Sequence, residues 1–122
     1  MEQPGAEKTI LVVDDEEAVV EFVTALLEDM GFRVLRAYEG RSALEIAQAQ
    51  HPDLILSDIM MPIMDGIELY HRLRQDPQTA DIPVILMTAG RTPALRNNVR
   101  LLAKPFDLED LVTAIHCLLR AA

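Results

Sequence analysis

Hydrophobic positions along the chain follow two periods. Short runs apolar on both faces occur at Thr9–Val13 (TILVV), Asp53–Ser57 (DLILS) and Ile82–Met87 (IPVILM). Such runs are too short for helices and predict buried strands of a parallel sheet. Phe32–Ala37 and Val99–Ala103 predict two more strands. Between them the period changes. Within Glu16–Met30 the apolar residues are Val19, Phe22, Val23, Leu26, Leu27 and Met30, which is helical spacing closed by Gly31. A second helix is predicted over Ser42–Gln50, stopped by His51-Pro52, and a third from Asp65-Gly66 to about Gln75. The last helix starts at Asp107, and Leu108, Leu111, Val112, Ile115, Leu118 and Leu119 form its stripe. Asp107 and Asp110 stand where a capping box would place them. Strands alternating with helices predict an α/β fold: a five-stranded, doubly wound parallel sheet with helices on both faces.

Composition narrows the class. A chain of 122 residues holds one domain. Aromatics make up 4 % and Trp is absent, so the core is aliphatic. A net charge of −9 disfavours nucleic acid or an anionic membrane as partner, since both call for a basic face. One cysteine excludes an internal disulfide and a multi-cysteine metal site. No apolar run approaches the ~18 residues of a membrane span. The start, MEQPGAEK, lacks signal-peptide layout. Residues 1–7 are expected to form a flexible leader, residues 8–121 the domain, and the location is expected to be cytoplasmic.

In open parallel sheets ligands bind beyond the carboxyl ends of the strands. The first strand delivers Asp14 and Asp15 there, the third Asp58, the fourth Thr88 and the fifth Lys104. Taken singly these read as a helix cap, turn residues and a solvated lysine. Asp65 and Gly66 read as a cap and tight turn. Single readings leave unexplained why three acids crowd one sheet edge. Clustered carboxylates need a cation to remain ionised together. All-oxygen ligands select a hard ion, and an open site with few protein ligands suits Mg²⁺. A metal and a lysine facing one carboxylate are the equipment for placing a phosphoryl group on it.

These residues carry a family resemblance. Asp14-Asp15, the run Asp58-Ile-Met-Met-Pro-Ile-Met-Asp65-Gly66, Thr88-Ala89 and Lys104-Pro105-Phe106 resemble the receiver domain of two-component response regulators, over residues 8 to 121. The resemblance implies a flavodoxin-like sheet of order 2-1-3-4-5. It implies Asp58 as phospho-acceptor, with Asp15, Asp58 and the main-chain carbonyl of Met60 on Mg²⁺ and Asp14 acting through a metal-bound water. Lys104 would pair with Asp58 and then with the phosphoryl oxygens. Thr88 would swing its hydroxyl onto the phosphoryl group. Pro62, Asp65 and Gly66 would be structural, and Pro105 would follow a cis peptide. The donor would be a phosphohistidine on a sensor histidine kinase or histidine phosphotransfer protein. The chain would be no enzyme beyond Mg²⁺-dependent self-phosphorylation and slow self-dephosphorylation.

Two features depart from the family pattern. Leu101 takes the switch position where an aromatic ring is usual. Thr88 and Lys104 are only 16 residues apart, so a fourth helix must fit within residues 91–98 and is expected to be short or irregular. Met60 and Gly90 flank the site, where Met60 could screen attacking water. Two other functions compete: a constitutive protein-interaction module with a decayed switch, and a phosphatase of the haloacid dehalogenase type. The latter usually carries a D-x-D pattern after its first strand, where this chain has Asp14-Asp15.

Overall fold

The computed structural model describes residues 8–90 and 99–121. In chain order the elements are β1 (Thr9–Val13), α1 (Glu17–Asp29), β2 (Arg33–Ala37), α2 (Gly40–Gln50), β3 (Leu54–Asp58), α3 (Gly66–Gln75), β4 (Val84–Thr88), β5 (Val99–Ala103) and α4 (Leu108–Ala121). All pairings are parallel, and the strand order is β2-β1-β3-β4-β5, as the resemblance implied. The fourth helix expected within residues 91–98, and the leader expected at 1–7, lie outside the described residues.

Strand alternation splits the core into two layers. Ile10, Val12, Leu54, Leu56, Ile85 and Met87 face α1 and α4 through Val20, Leu27, Leu111 and Ile115. Leu11, Val13, Ile55, Val84 and Leu86 face the opposite way, onto Ala43, Ala47, Leu69 and Leu73 of α2 and α3. A strand apolar at every position is therefore buried on both sides, the condition that a run such as TILVV satisfies. Among the described residues no helix is long and apolar enough to cross a membrane.

Element ends differ from the sequence expectation where tertiary contacts intervene. Helix α2 begins at Gly40, before Ser42. Gly40 is buried against Met64, and a Cβ there would lie 2.9 Å from the Met64 side chain and carbonyl. Strand β4 starts after Pro83 and runs through Thr88, because Ile82 N–H is taken by a turn to the Thr79 carbonyl at 3.1 Å. Asp53 lies outside β3 and instead accepts Thr9 N–H on its carboxylate at 2.8 Å, while Asp58 is the last residue inside the strand. Neither Asp14 nor Asp15 caps α1; Glu16 holds that position, without a side-chain cap bond. Asp65 does cap α3, accepting Glu68 N–H at 2.8 Å. The expected capping box forms at α4, where Asp107 accepts Asp110 N–H at 2.9 Å and Asp110 accepts Asp107 N–H at 3.2 Å.

Candidate functional site

The site stands on the carboxyl ends of β1, β3, β4 and β5. Two ladders run one bond beyond their strands: Asp14 N–H donates to the Ala37 carbonyl at 3.3 Å, and Lys104 N–H to the Thr88 carbonyl at 2.8 Å. The alternation of side chains therefore carries past the strand ends. Asp14 continues the set of Ile10 and Val12, Asp58 that of Leu54 and Leu56, and Lys104 that of Leu102. The three ionisable groups share one side of the sheet edge for this reason.

Asp14, Asp15 and Asp58 each offer a carboxylate oxygen, and these oxygens lie within 4.8 Å of one another. Asp14 is fully buried, Asp58 is 5 % exposed and Asp15 faces solvent. The Lys104 ammonium lies 2.9 Å from Asp58 Oδ1. Burial works to lower the Lys104 pKa, but the hydrogen bond and charge of Asp58 outweigh it and hold the ammonium above its ordinary value. Burial pushes the Asp14 carboxyl up to about 6. Its Glu16 N–H bond opposes this, the Asp58 charge adds to it, Lys104 opposes it and Asp15 adds.

Asp14 accepts Glu16 N–H on Oδ1 at 2.9 Å, whereas its buried Oδ2 has no hydrogen-bond partner among the described residues. A buried carboxylate oxygen without a donor is costly unless a cation or water meets it. Three convergent carboxylates, one with such an orphaned oxygen, fit a hard divalent cation.

The other expected residues fall around this cluster. Thr88 is buried on β4, one residue beyond Met87, the partner of Asp58 in register. Its hydroxyl accepts Gly90 N–H at 3.1 Å. Leu101 is half-buried on β5 and packs into the α2–α3 layer, on the opposite side of the sheet from the carboxylates. The Lys104-Pro105 peptide is cis. Met60 is 75 % exposed in the loop after β3, and Pro62 is exposed in the same loop.

Two supports were not visible as such in the sequence. Gly66 is more than a turn residue, because its backbone lies directly against Asp58; a Cβ would fall 2.4 Å from the Asp58 carbonyl oxygen and 2.9 Å from Ile59 Cα. Gly66 N–H also donates to the Ile59 carbonyl at 2.9 Å. Ser57, read only as a strand residue, donates its buried hydroxyl to the Asp58 carbonyl at 3.0 Å. A small hydroxyl residue preceding the acid in an otherwise aliphatic strand was the available signal.

A doubly wound sheet with paired acids after β1, an acid ending β3, a hydroxyl ending β4 and a lysine after β5 defines a phosphoryl-accepting signalling domain. The family model described as "Response regulator receiver domain" matches residues 10–116, and the chain belongs to this family of two-component signalling domains. Among curated relatives, the DNA-binding dual master transcriptional regulator RpaA of Synechocystis is 36 % identical, over 91 % of this chain and 48 % of its own length. The phosphate regulon transcriptional regulatory protein PhoB of Pseudomonas aeruginosa is 38 % identical, over 93 % and 52 %. The chain thus spans about half the length of these relatives.

Among solved structures, the chemotaxis protein CheY4 of Vibrio cholerae superposes with a TM-score of 0.84 at 32 % identity, over 93 % of this chain and 99 % of that one. The receiver domain of sensor histidine kinase PA1611 of P. aeruginosa gives a TM-score of 0.85 at 27 % identity, over 94 % and 99 %. It has a magnesium ion coordinated in its active-site cleft.

Proposed function

We propose that Asp58 is the phospho-acceptor of a receiver unit spanning residues 8–121, and that the donor is a phosphohistidine on a sensor histidine kinase or histidine phosphotransfer protein. One observation carries this reading: the Lys104 ammonium at 2.9 Å from the Asp58 carboxylate, with two further carboxylates converging on the same edge. Asp15, Asp58 and the Met60 carbonyl would hold Mg²⁺ directly, with Asp14 acting through a bound water. When bound, the ion supplies positive charge that offsets the growing charge on the phosphoryl oxygens.

In the transfer, a carboxylate oxygen of Asp58 attacks phosphorus. The bond from phosphorus to the donor nitrogen breaks, and its electron pair returns to the imidazole. Lys104 moves its ion pair from Asp58 to a phosphoryl oxygen, an electrostatic role that needs no proton transfer. The acyl phosphate is later hydrolysed: water attacks phosphorus, Asp58 leaves as carboxylate and inorganic phosphate is released. No turnover of an external substrate is involved beyond this self-phosphorylation and self-dephosphorylation. Thr88 would exchange its bond from Gly90 N–H for one to the phosphoryl group. Leu101 would repack in the α2–α3 layer in answer.

The charge of −9 favours protein partners over nucleic acid for this unit, although one relative of about twice its length, RpaA, carries a name describing DNA binding. A cytoplasmic location accords with the kinase partner.

The test is intact mass after incubation with Mg²⁺ and acetyl phosphate. One phosphoryl adduct is expected, lost with EDTA and absent in Asp58→Asn. An unlabelled wild-type protein, beside a receiver that labels, refutes the assignment.

A further inference from the structure

Five methionines fall among the described residues, and their environments differ sharply. Met87 and Met61 are buried, and Met30 and Met64 are half-buried, whereas Met60 is 75 % exposed. Met60 also stands two residues after Asp58, so their Cα atoms are within about 7 Å. The intervening backbone is pinned. Ile59 N–H donates to the Met87 carbonyl at 3.0 Å, and the Ile59 carbonyl accepts Gly66 N–H at 2.9 Å. The backbone next to Met60 is therefore fixed close to Asp58, and the Met60 side chain beside it is open to solvent.

We infer that Met60 is a redox-modification site through which a peroxide shortens the lifetime of the phosphoryl group on Asp58. The inference rests on Asp58 being the acceptor. Sulfur attacks the peroxide, the O–O bond breaks, and one oxygen is bonded to sulfur. The other leaves as water, so sulfur is oxidised by two electrons and the peroxide reduced by two. The product exchanges an apolar, flexible side chain for a polar one with a strong acceptor oxygen. Hydrolysis of an aspartyl phosphate requires a water beside the phosphorus. A thioether there offers that water no strong hydrogen bond, whereas a sulfoxide oxygen can hold it. Burial excludes Met61 and Met87 from ready oxidation and half-burial slows Met30 and Met64, which makes Met60 selective among them.

The experiment uses the full chain carrying Cys117→Ser, because Cys117 is exposed and would also consume oxidant. The protein is treated with limiting hydrogen peroxide and mapped by peptide mass. Treated and untreated samples are then labelled with acetyl phosphate and Mg²⁺, freed of donor, and followed by intact mass as the adduct decays. The first oxygen is expected on Met60, ahead of Met30, Met61, Met64 and Met87. The adduct should then decay at least about twofold faster, because the new acceptor orders water at the site. Methionine sulfoxide reductase should restore the slower decay, and Met60→Leu should remove the response to peroxide. Oxidation of another of these methionines first, or unchanged decay after oxidation of Met60, overturns the inference and leaves the acceptor reading standing. Failure of the untreated protein to label refutes both, and the two failures are thereby told apart.

Discussion

Replacing Gly66 with alanine tests how the end of β3, which carries the proposed phospho-acceptor Asp58, is held. The added Cβ would lie 2.4 Å from the Asp58 carbonyl oxygen, 2.9 Å from Ile59 Cα and 3.1 Å from the Asp58 carbonyl carbon. Ordinary non-bonded contacts lie at about 3.5–4.0 Å, so the start of α3 and the end of β3 must separate by roughly 1 Å. Every atom met is backbone, so no rotamer change relieves the clash. Overpacking of this kind costs about 1–3 kcal/mol. Separation also stretches the Gly66–Ile59 hydrogen bond, worth about 1 kcal/mol. The better helix propensity of alanine returns up to about 1 kcal/mol. The net loss is about 1–4 kcal/mol, a substantial part of the roughly 5–15 kcal/mol that holds a domain of this kind.

Urea unfolding followed by far-UV circular dichroism measures this loss as a lower midpoint at unchanged slope. Labelling with acetyl phosphate should slow as well, because a displacement near 1 Å at a reacting group costs up to about a hundredfold in rate. Gly90→Ala is the control. Among the described residues, its chain neighbours aside, no atom lies within 4 Å of its added Cβ, and its stability should stay within about 0.5 kcal/mol of wild type. A Gly66→Ala protein as stable as Gly90→Ala, and labelling at the wild-type rate, refutes the close-packing account.

Further expectations concern single residues. Asp14 has its carboxyl raised to about 6 from 3.8, so the folded state binds its proton more tightly than the unfolded state does. Its contribution to stability therefore falls as pH rises between those values, and the penalty is fully present above about 6. Asp14→Asn should be more stable than wild type at pH 7.5 in EDTA, with the gain fading toward pH 4; equal unfolding midpoints at both pH values would contradict this. Added Mg²⁺ should raise the wild-type melting temperature, by preferential binding to the folded state, and raise that of Asp14→Asn less. Thr24 is 4 % exposed on α1 and its hydroxyl has no hydrogen-bond partner among the described residues. Thr24→Val keeps the shape, removes the unpaired group and should add about 1 kcal/mol in urea titration. Ile63 holds φ 68° with its side chain fully in solvent. A left-handed backbone costs a β-branched residue about 1–2 kcal/mol, and Asn tolerates it, so Ile63→Asn should stabilise by about 1 kcal/mol in the same assay.

Much of this protein is legible without its coordinates, because its signals are local. The run TILVV needs burial on both faces wherever it lies, and the stripe of α4 with Asp107 and Asp110 specifies an amphipathic helix and its cap. The order of these elements then implies a parallel sheet, whose carboxyl edge receives Asp14, Asp15, Asp58, Thr88 and Lys104. Folding decided what depends on distance between segments remote in the chain. Thr9 and Asp53 exchange hydrogen bonds across 44 positions, which takes Asp53 out of its predicted strand. Gly66 earns its lack of a side chain from the Asp58 carbonyl, and Gly40 from Met64, contacts that no spacing rule contains. The orphaned oxygen of Asp14 exists only because the β1 end is sealed from solvent. Sequence periodicity determines which face of a segment is buried. Only the packed chain determines which backbone atoms that face meets, and at Asp58 those atoms fix the end of β3 that carries its carboxylate.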